Sequence, residues 1–500
     1  MKRIGIIDIG SNSIRLVIYE ISPNRSFKAI EDIKESPRLG DGVNERGEMK
    51  LKRMDLAFHT LMLFKRVCER YGVDEIIPFA TAAVRNSRNS HVLLDLVREQ
   101  LGMDIKVFSG EDEAFFSFKG AINNLEVDEG ILMDMGGAST ELVWYKERKV
   151  HKWISLNFGS VTLSQIAQVR DSLSSKEEEQ LKKYIMEEYS RVPWLKEAEG
   201  IPLIGVGGTI RNLAKVHSLM INYPLLLLHD YRMNLDEVES VYRKIKGMDY
   251  EEKLLLPGLA RSRADIFTGA VCAIRELISY SSLSGAVISG FGIREGVLYE
   301  KLYEYGRTFE NVFETSLFDT VERYSLSRED GERVYGVFTK ILEALDPLHK
   351  MERIPEEILR TICYMGRVGV SVSFHDYPLH SFYMILNAEL RGISHKDLVK
   401  AALIVSQQEK LNTLHKNYTK LLGKSDLKEI TYLSIILRIS KIFNRTFLMK
   451  REDFHVEIDG ERVRFCIDTG ELMDVQVSRM LMSGKRFKEV FGRQLEVVKK

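Results

Sequence analysis

The 500-residue chain has little cysteine: Cys68, Cys272, Cys363 and Cys466 are scattered and never stand in C-x-x-C spacing. That argues against a disulfide framework and the usual zinc modules, and it fits a reducing, cytoplasmic compartment. Net charge is absent too, since 72 basic side chains balance 72 acidic ones for a formal +0. No global field therefore draws the protein to nucleic acid or to an anionic membrane; a polyanionic partner needs a local basic groove. Long apolar runs are missing. A leading candidate, "YPLLLLHDY", is broken by His229 and Asp230, far short of the roughly 20 residues of a membrane span. The opening "MKRIGIID" enters a strand pattern directly, without a secretory signal.

What is there is a repeat. Residues 4–20 read "IGIIDIGSNSIRLVIYE": an apolar strand, an acid, a turn of small and polar residues, a second apolar strand. Taken alone, the stretch reads equally well as a hairpin with a polar tip. Residues 131–145, "ILMDMGGASTELVWY", align to it without a gap. Asp8 matches Asp134, Gly10 matches Gly136, Ser13 matches Ser139 and Leu16 matches Leu142. Two copies are too few for a solenoid and fit a pseudo-symmetric pair of lobes facing one cleft. Two acids and two small-residue turns suit a phosphate chain with a divalent cation. A third glycine turn, "GVGGTIRN", places Gly207, Gly208 and Thr209 before a helix, another anion-binding arrangement. None of the three is a Walker loop.

Residues 1–124 alternate strand-like and helix-like segments, and residues 125–305 do so again from the second copy of the repeat. Both halves read as α/β. Amphipathic helices dominate 310–450, and "FHVEIDGERVRFCID" predicts a hairpin around Asp459-Gly460 within a small α+β piece at 451–500.

The motifs "IDIGSNSIRL", "RLGDGVNERGEM", "TAAVRNS", "SGEDEAFFSFKG", "LMDMGGASTELV", "GVGGTIRNLA", "RADIFTGAV" and "SGFGIREGVLYE" follow one another in order. In this ordered set the chain resembles the exopolyphosphatase / guanosine pentaphosphate phosphohydrolase family of the actin, Hsp70 and sugar-kinase superfamily. The resemblance implies two actin-like (ribonuclease H-like) lobes, an all-helical HD-like domain and the small C-terminal piece.

It also implies roles. Glu113, directly before alanine in "SGEDEA", stands where the family's general base is expected; its bland reading is a helix N-terminal residue favoured by the dipole. Glu111 and Asp112 are expected to act electrostatically or in capping. Magnesium (Mg2+) is expected at Asp134 and Glu141, with Asp8 completing the set through water; the bland reading of Glu141 is a solvated strand residue. Gly10, Ser11, Asn12 and Ser13 form one phosphate turn, and Gly136, Gly137, Ala138 and Ser139 the other. Arg15, which matches Glu141 in the repeat, and Arg85 are expected phosphate ligands, with Arg38 a weaker candidate; the arginines also read as ordinary surface residues.

In the helical domain, Gly366 and Arg367 replace the histidine–acid pair that relatives often carry, and His375, Asp376 and His380 are scattered. A structural domain that extends the cleft is expected there, rather than a second metal centre. Arg438, Lys441 and Arg445, with Arg479, Lys485, Arg486, Lys488 and Arg493, read as a channel for a long polyphosphate or as a solvated face.

The reading that follows is hydrolytic removal of the terminal phosphate of inorganic polyphosphate. Its rivals are guanosine pentaphosphate hydrolysis, an ATP-dependent kinase or chaperone-like switch, and a non-catalytic polyphosphate or alarmone sensor. The glutamate of "SGEDEA" speaks against the switch. The resemblance also implies a homodimer.

Overall fold

The computed structural model describes residues 1–41, 47–166, 172–303, 307–408, 413–444, 453–467 and 474–499. They group into two compact units, Met1–Glu310 and Asn311–Lys500.

The first unit holds two sheets. The first has strands β1 (Lys2–Ile9), β2 (Ile14–Ile21), β3 (Phe27–Glu35), β4 (Glu75–Ala80) and β5 (Lys106–Val107), in the order β3-β2-β1-β4-β5. The second has β6 (Gly130–Met135), β7 (Thr140–Lys146), β8 (Lys149–Leu156), β9 (Leu203–Val206), β10 (Arg232–Met233) and β11 (Ala286–Ile288), in the order β10-β11-β9-β6-β7-β8. The repeat in the sequence is a repeat in topology. β1 pairs antiparallel with β2 and parallel with β4; β6 pairs antiparallel with β7 and parallel with β9.

Both sheets are covered on both faces, which is why their central strands are apolar almost throughout. On one face of the first sheet, Ile7, Ile9 and Leu16 pack with Leu61 and Phe64 of the helix Leu51–Arg70. On the other, Ile4, Ile6 and Val17 meet Phe116 and Leu298. The helix Gly110–Ile122 is shared: Phe116 packs on the first sheet, while Ala114 and Phe118 pack with Leu132 and Val143 of the second. Its first turn is thereby fixed where the two sheets meet. The helix Ile293–Leu302 returns to the first sheet through Val297 and Leu298, and Lys119, buried, ion-pairs with its Glu300. After β4 the motif "TAAVR" forms a single helical turn, Ala82–Arg85.

The second unit is helical from Val312 to Asn444 and ends in a three-stranded sheet. Its strands are β12 (Phe454–Asp459), β13 (Arg462–Ile467) and β14 (Gln494–Lys499), in that order. The expected hairpin is present, with Gly460 in the left-handed region at φ 54°. The expected boundary near residue 450 and the candidate Arg445 lie outside the described residues. Gly366 ends the helix Glu356–Met365, His375 and Asp376 are exposed just before the helix Tyr377–Asn387, and His380 lies within that helix.

Three of the basic residues are half-buried and engaged by backbone carbonyls of their own unit. Arg438 and Arg486 donate to the carbonyls of Gln408 and Gln407, at the end of the helix His395–Gln407, and Lys441 donates to Gly366 O at 2.7 Å. The last carbonyls of a helix lack intrahelical donors and carry partial negative charge, so half-buried cations serve there as caps. Arg479, Lys485 and Lys488 are exposed. Among the described residues, no helix is long and apolar enough to cross a membrane.

Candidate active site

The two matching turns close in the same way. Gly10 N donates to Ser13 O at 3.0 Å, and Gly136 N donates to Ser139 O at 3.0 Å. In the ladders beneath them, Asp8 pairs in register with Arg15 and Asp134 with Glu141. Both turns open on a cleft of about 520 Å3 within the first unit. Six basic and four acidic side chains line it, so a chain with no net charge carries a locally cationic groove.

The acids are Asp8, Glu113, Asp134 and Glu141. Glu113 lies in the first turn of its helix, and its neighbours share out the work there. Ser109 and Asp112 form a reciprocal cap, with Asp112 N donating to Ser109 Oγ and Ser109 N to Asp112 Oδ2, while Glu111 is exposed. Glu113 therefore caps nothing and turns its buried carboxylate into the cleft. Burial raises its pKa, Arg85 pulls it back, and Asp134 and Asp8 raise it further.

Glu141 is not a solvated strand residue. It is 2% exposed, accepts from Ser155 Oγ at 2.9 Å, and has its pKa raised by burial and then by Glu113 and Asp134. Burial also raises Asp134, which accepts from the Ser117 hydroxyl. Asp8 is raised by burial while its ion pair with Arg294, at 3.1 Å, opposes the shift.

Asp8, Glu113, Asp134 and Glu141 are the oxygen donors that the cleft offers a divalent cation. No three of them bring one oxygen each within 4.8 Å of one another, so they form no closed cage. Magnesium rarely uses one; it keeps waters and takes one or two carboxylates plus phosphate oxygens. Hard oxygen donors whose negative charges raise one another's pKa fit such an ion, at Asp134 and Glu141 with Glu113 nearby. Asp8 is less available, because Arg294 already holds it.

The basic residues are Arg15, Lys34, Arg211, Lys215, Arg263 and Arg294. Arg15 is braced by Asp32, Arg211 donates to Gly207 O at 2.9 Å, and Arg263 donates to Thr209 Oγ1 at 2.9 Å. Burial, and then the charges of Arg263, Arg15, Arg211 and Arg294, together lower the pKa of Lys34 to about 8. Asn12 Nδ2 is a buried donor with no partner among the described residues.

Two glycines make room for this constellation. Gly207 has φ +88°, and a Cβ there would lie 2.8 Å from Asp134 Oδ1. A Cβ on Gly208 would lie 2.1 Å from Arg263 Nη2.

The structure thus gathers Asp8, Gly10, Ser11, Asn12, Ser13 and Arg15 with Glu113, Asp134, Gly136, Gly137, Ser139, Glu141, Gly207 and Gly208. Four expected ligands are placed differently. Arg85 does not line the cleft: its guanidinium pairs with Glu113 and donates to Phe108 O at 2.8 Å, because a buried carboxylate needs a countercharge. Ala138 lies outside the lining, and the Thr209 hydroxyl is taken by Arg263. Arg38 pairs with Asp265 at 3.3 Å.

Sequence reasoning missed Lys34, Arg211, Lys215, Arg263 and Arg294. Three of them were in view as the single basic residues of the motifs "GVGGTIRNLA", "RADIFTGAV" and "SGFGIREGVLYE".

Comparison with known proteins agrees with this arrangement. The profile of the Ppx/GppA phosphatase family matches residues 17–305, and that of Ppx/GppA phosphatase domain III matches residues 312–477. Among solved structures, an exopolyphosphatase from Cytophaga hutchinsonii is 27% identical, with a TM-score of 0.57 over 60% of this chain and 98% of that one. The Ppx/GppA family member from Aquifex aeolicus is 25% identical, with a TM-score of 0.53 over 61% of this chain and 99% of that one. The chain therefore belongs to the Ppx/GppA phosphatase family.

Proposed function

We propose that the protein is a magnesium-dependent exopolyphosphatase, which hydrolyses the terminal phosphoanhydride of inorganic polyphosphate and releases orthophosphate. The observation that carries this reading is the position of Glu113: a buried carboxylate of raised basicity, held at the junction of two sheets and facing two small-residue turns in a cationic cleft.

The terminal phosphate is taken to lodge between the Gly10–Ser13 and Gly136–Ser139 turns, where the Asn12 amide is an available donor. Arg15, Lys34, Arg211 and Arg263 neutralise the phosphates behind it. Glu113 orients a water in line with the terminal phosphorus and takes its proton as the new P–O bond forms. The anhydride P–O bond breaks, and its electron pair stays on the shortened chain. Magnesium at Asp134 and Glu141, when bound, supplies charge neutralisation for the non-bridging oxygens.

Guanosine pentaphosphate offers the same phosphoanhydride. The lining favours polyphosphate, because no aromatic ring stands among the described cleft residues to stack a purine. The likeness to the Cytophaga hutchinsonii exopolyphosphatase supports the same choice. Orthophosphate release from both substrates, each with magnesium, tests it. Faster turnover of long-chain polyphosphate is expected; turnover of the nucleotide alone would move the substrate to guanosine pentaphosphate.

A further inference from the structure

The C-terminal sheet carries a second cluster of reactive side chains, which the proposed hydrolysis does not use. In the β12–β13 ladder, His455 stands opposite Cys466 and Glu457 opposite Arg464. Strand alternation puts these four side chains on one face. Phe454, Val456, Phe465 and Ile467 take the other face, where Phe443 stacks on Phe454.

His455 Nε2 and Glu457 Oε1 are 3.1 Å apart. With the sulfur of Cys466 they form a set whose ligand atoms all lie within 4.8 Å of one another. A tetrahedral ion about 2.0–2.3 Å from its ligands needs them roughly 3.5 Å apart, within reach of a small rotamer change. Arg464 is the register partner of Glu457 and its natural counter-ion, yet its guanidinium is held by Asp459 at 2.9 Å and Glu496 at 3.2 Å. The Glu457 carboxylate turns to His455 instead. No other group of three histidine, cysteine or acidic residues comes together this way among the described residues.

We propose that His455, Glu457 and Cys466 form a binding site for a borderline transition-metal cation of the zinc class, with water in the fourth position. The donors set the choice of metal. Thiolate and imidazole suit zinc-class ions, whereas magnesium and calcium take oxygen. The site is chemically distinct from the carboxylates of the cleft. β12 is an edge strand, and an ion bound here would clip it to its neighbour. Binding displaces the thiol proton, so affinity rises with pH.

Cadmium, a thiolate-seeking probe of zinc sites, is titrated into the full-length protein with magnesium in excess. The readout is the ultraviolet thiolate-to-metal charge-transfer band, which carboxylates do not produce. One saturating equivalent that zinc displaces is expected. Cys466→Ser should abolish the band, and Glu457→Gln and His455→Gln should each weaken binding by about tenfold or more. If Cys466→Ser lowers the thermal midpoint by itself, the His455 and Glu457 variants, at a half-buried and an exposed position, carry the comparison. A wild-type protein without a saturable band, or a band unchanged in all three variants, overturns the proposal.

Discussion

Arg85 holds the carboxylate of Glu113 from a position that does not line the cleft. A guanidinium placed there steadies and acidifies the proposed base instead of gripping substrate. Arg85→Met should therefore move the acidic limb of kcat/KM to higher pH while leaving KM for long chains nearly unchanged. Breaking a buried pair should also destabilise the protein by about 3 kcal/mol. A raised KM with an unmoved pH limb would return Arg85 to the phosphate ligands.

Lys34 governs the other limb. Its pKa is lowered to about 8, so its charge is present below that pH and is lost as pH rises through it. Affinity for a polyanion should fall over the same interval. Lys34→Met should remove this alkaline decline and raise KM at pH 7. A charged hydrogen bond worth about 1.5–3 kcal/mol corresponds to roughly a tenfold effect or more. Steady-state KM measured from pH 6 to 9, a span of about three units around this group, checks it.

Glu141 illustrates stability set aside for chemistry. Its folded-state pKa is raised by burial and by neighbouring acids. The native state therefore holds a proton longer than the unfolded chain does, and stability falls as pH climbs from the ordinary carboxylate range to the raised value. Glu141→Gln removes that penalty. The variant should gain about 1–3 kcal/mol at pH 8 and much less at pH 5, while losing phosphatase activity. Thermal midpoints at both pH values test the sign; a loss of stability at pH 8 would contradict it.

The two hairpins were legible because the same residue types recur at the same spacing, and Asp8 and Asp134 emerged from that alignment alone. Glu113 could be singled out only by resemblance, since nothing local distinguishes it from Glu111 and Asp112. The structure separates the three by capping and burial. Lys34 was hidden for another reason. It comes from the end of β3, a segment brought to the cleft only by the fold. Arg438 and Arg486 mislead in the opposite direction: a run of basic residues looks alike on paper whether it faces a ligand or caps a neighbouring helix.

The most direct measurement is single-turnover hydrolysis of long-chain polyphosphate by wild-type protein and Glu113→Gln, with chain binding measured in parallel. The substitution keeps the shape of the side chain and removes its basicity. The cleavage rate should fall by about 10²–10⁴-fold while binding holds within a few-fold. Cleavage in the variant at near wild-type rates would contradict the role assigned to Glu113.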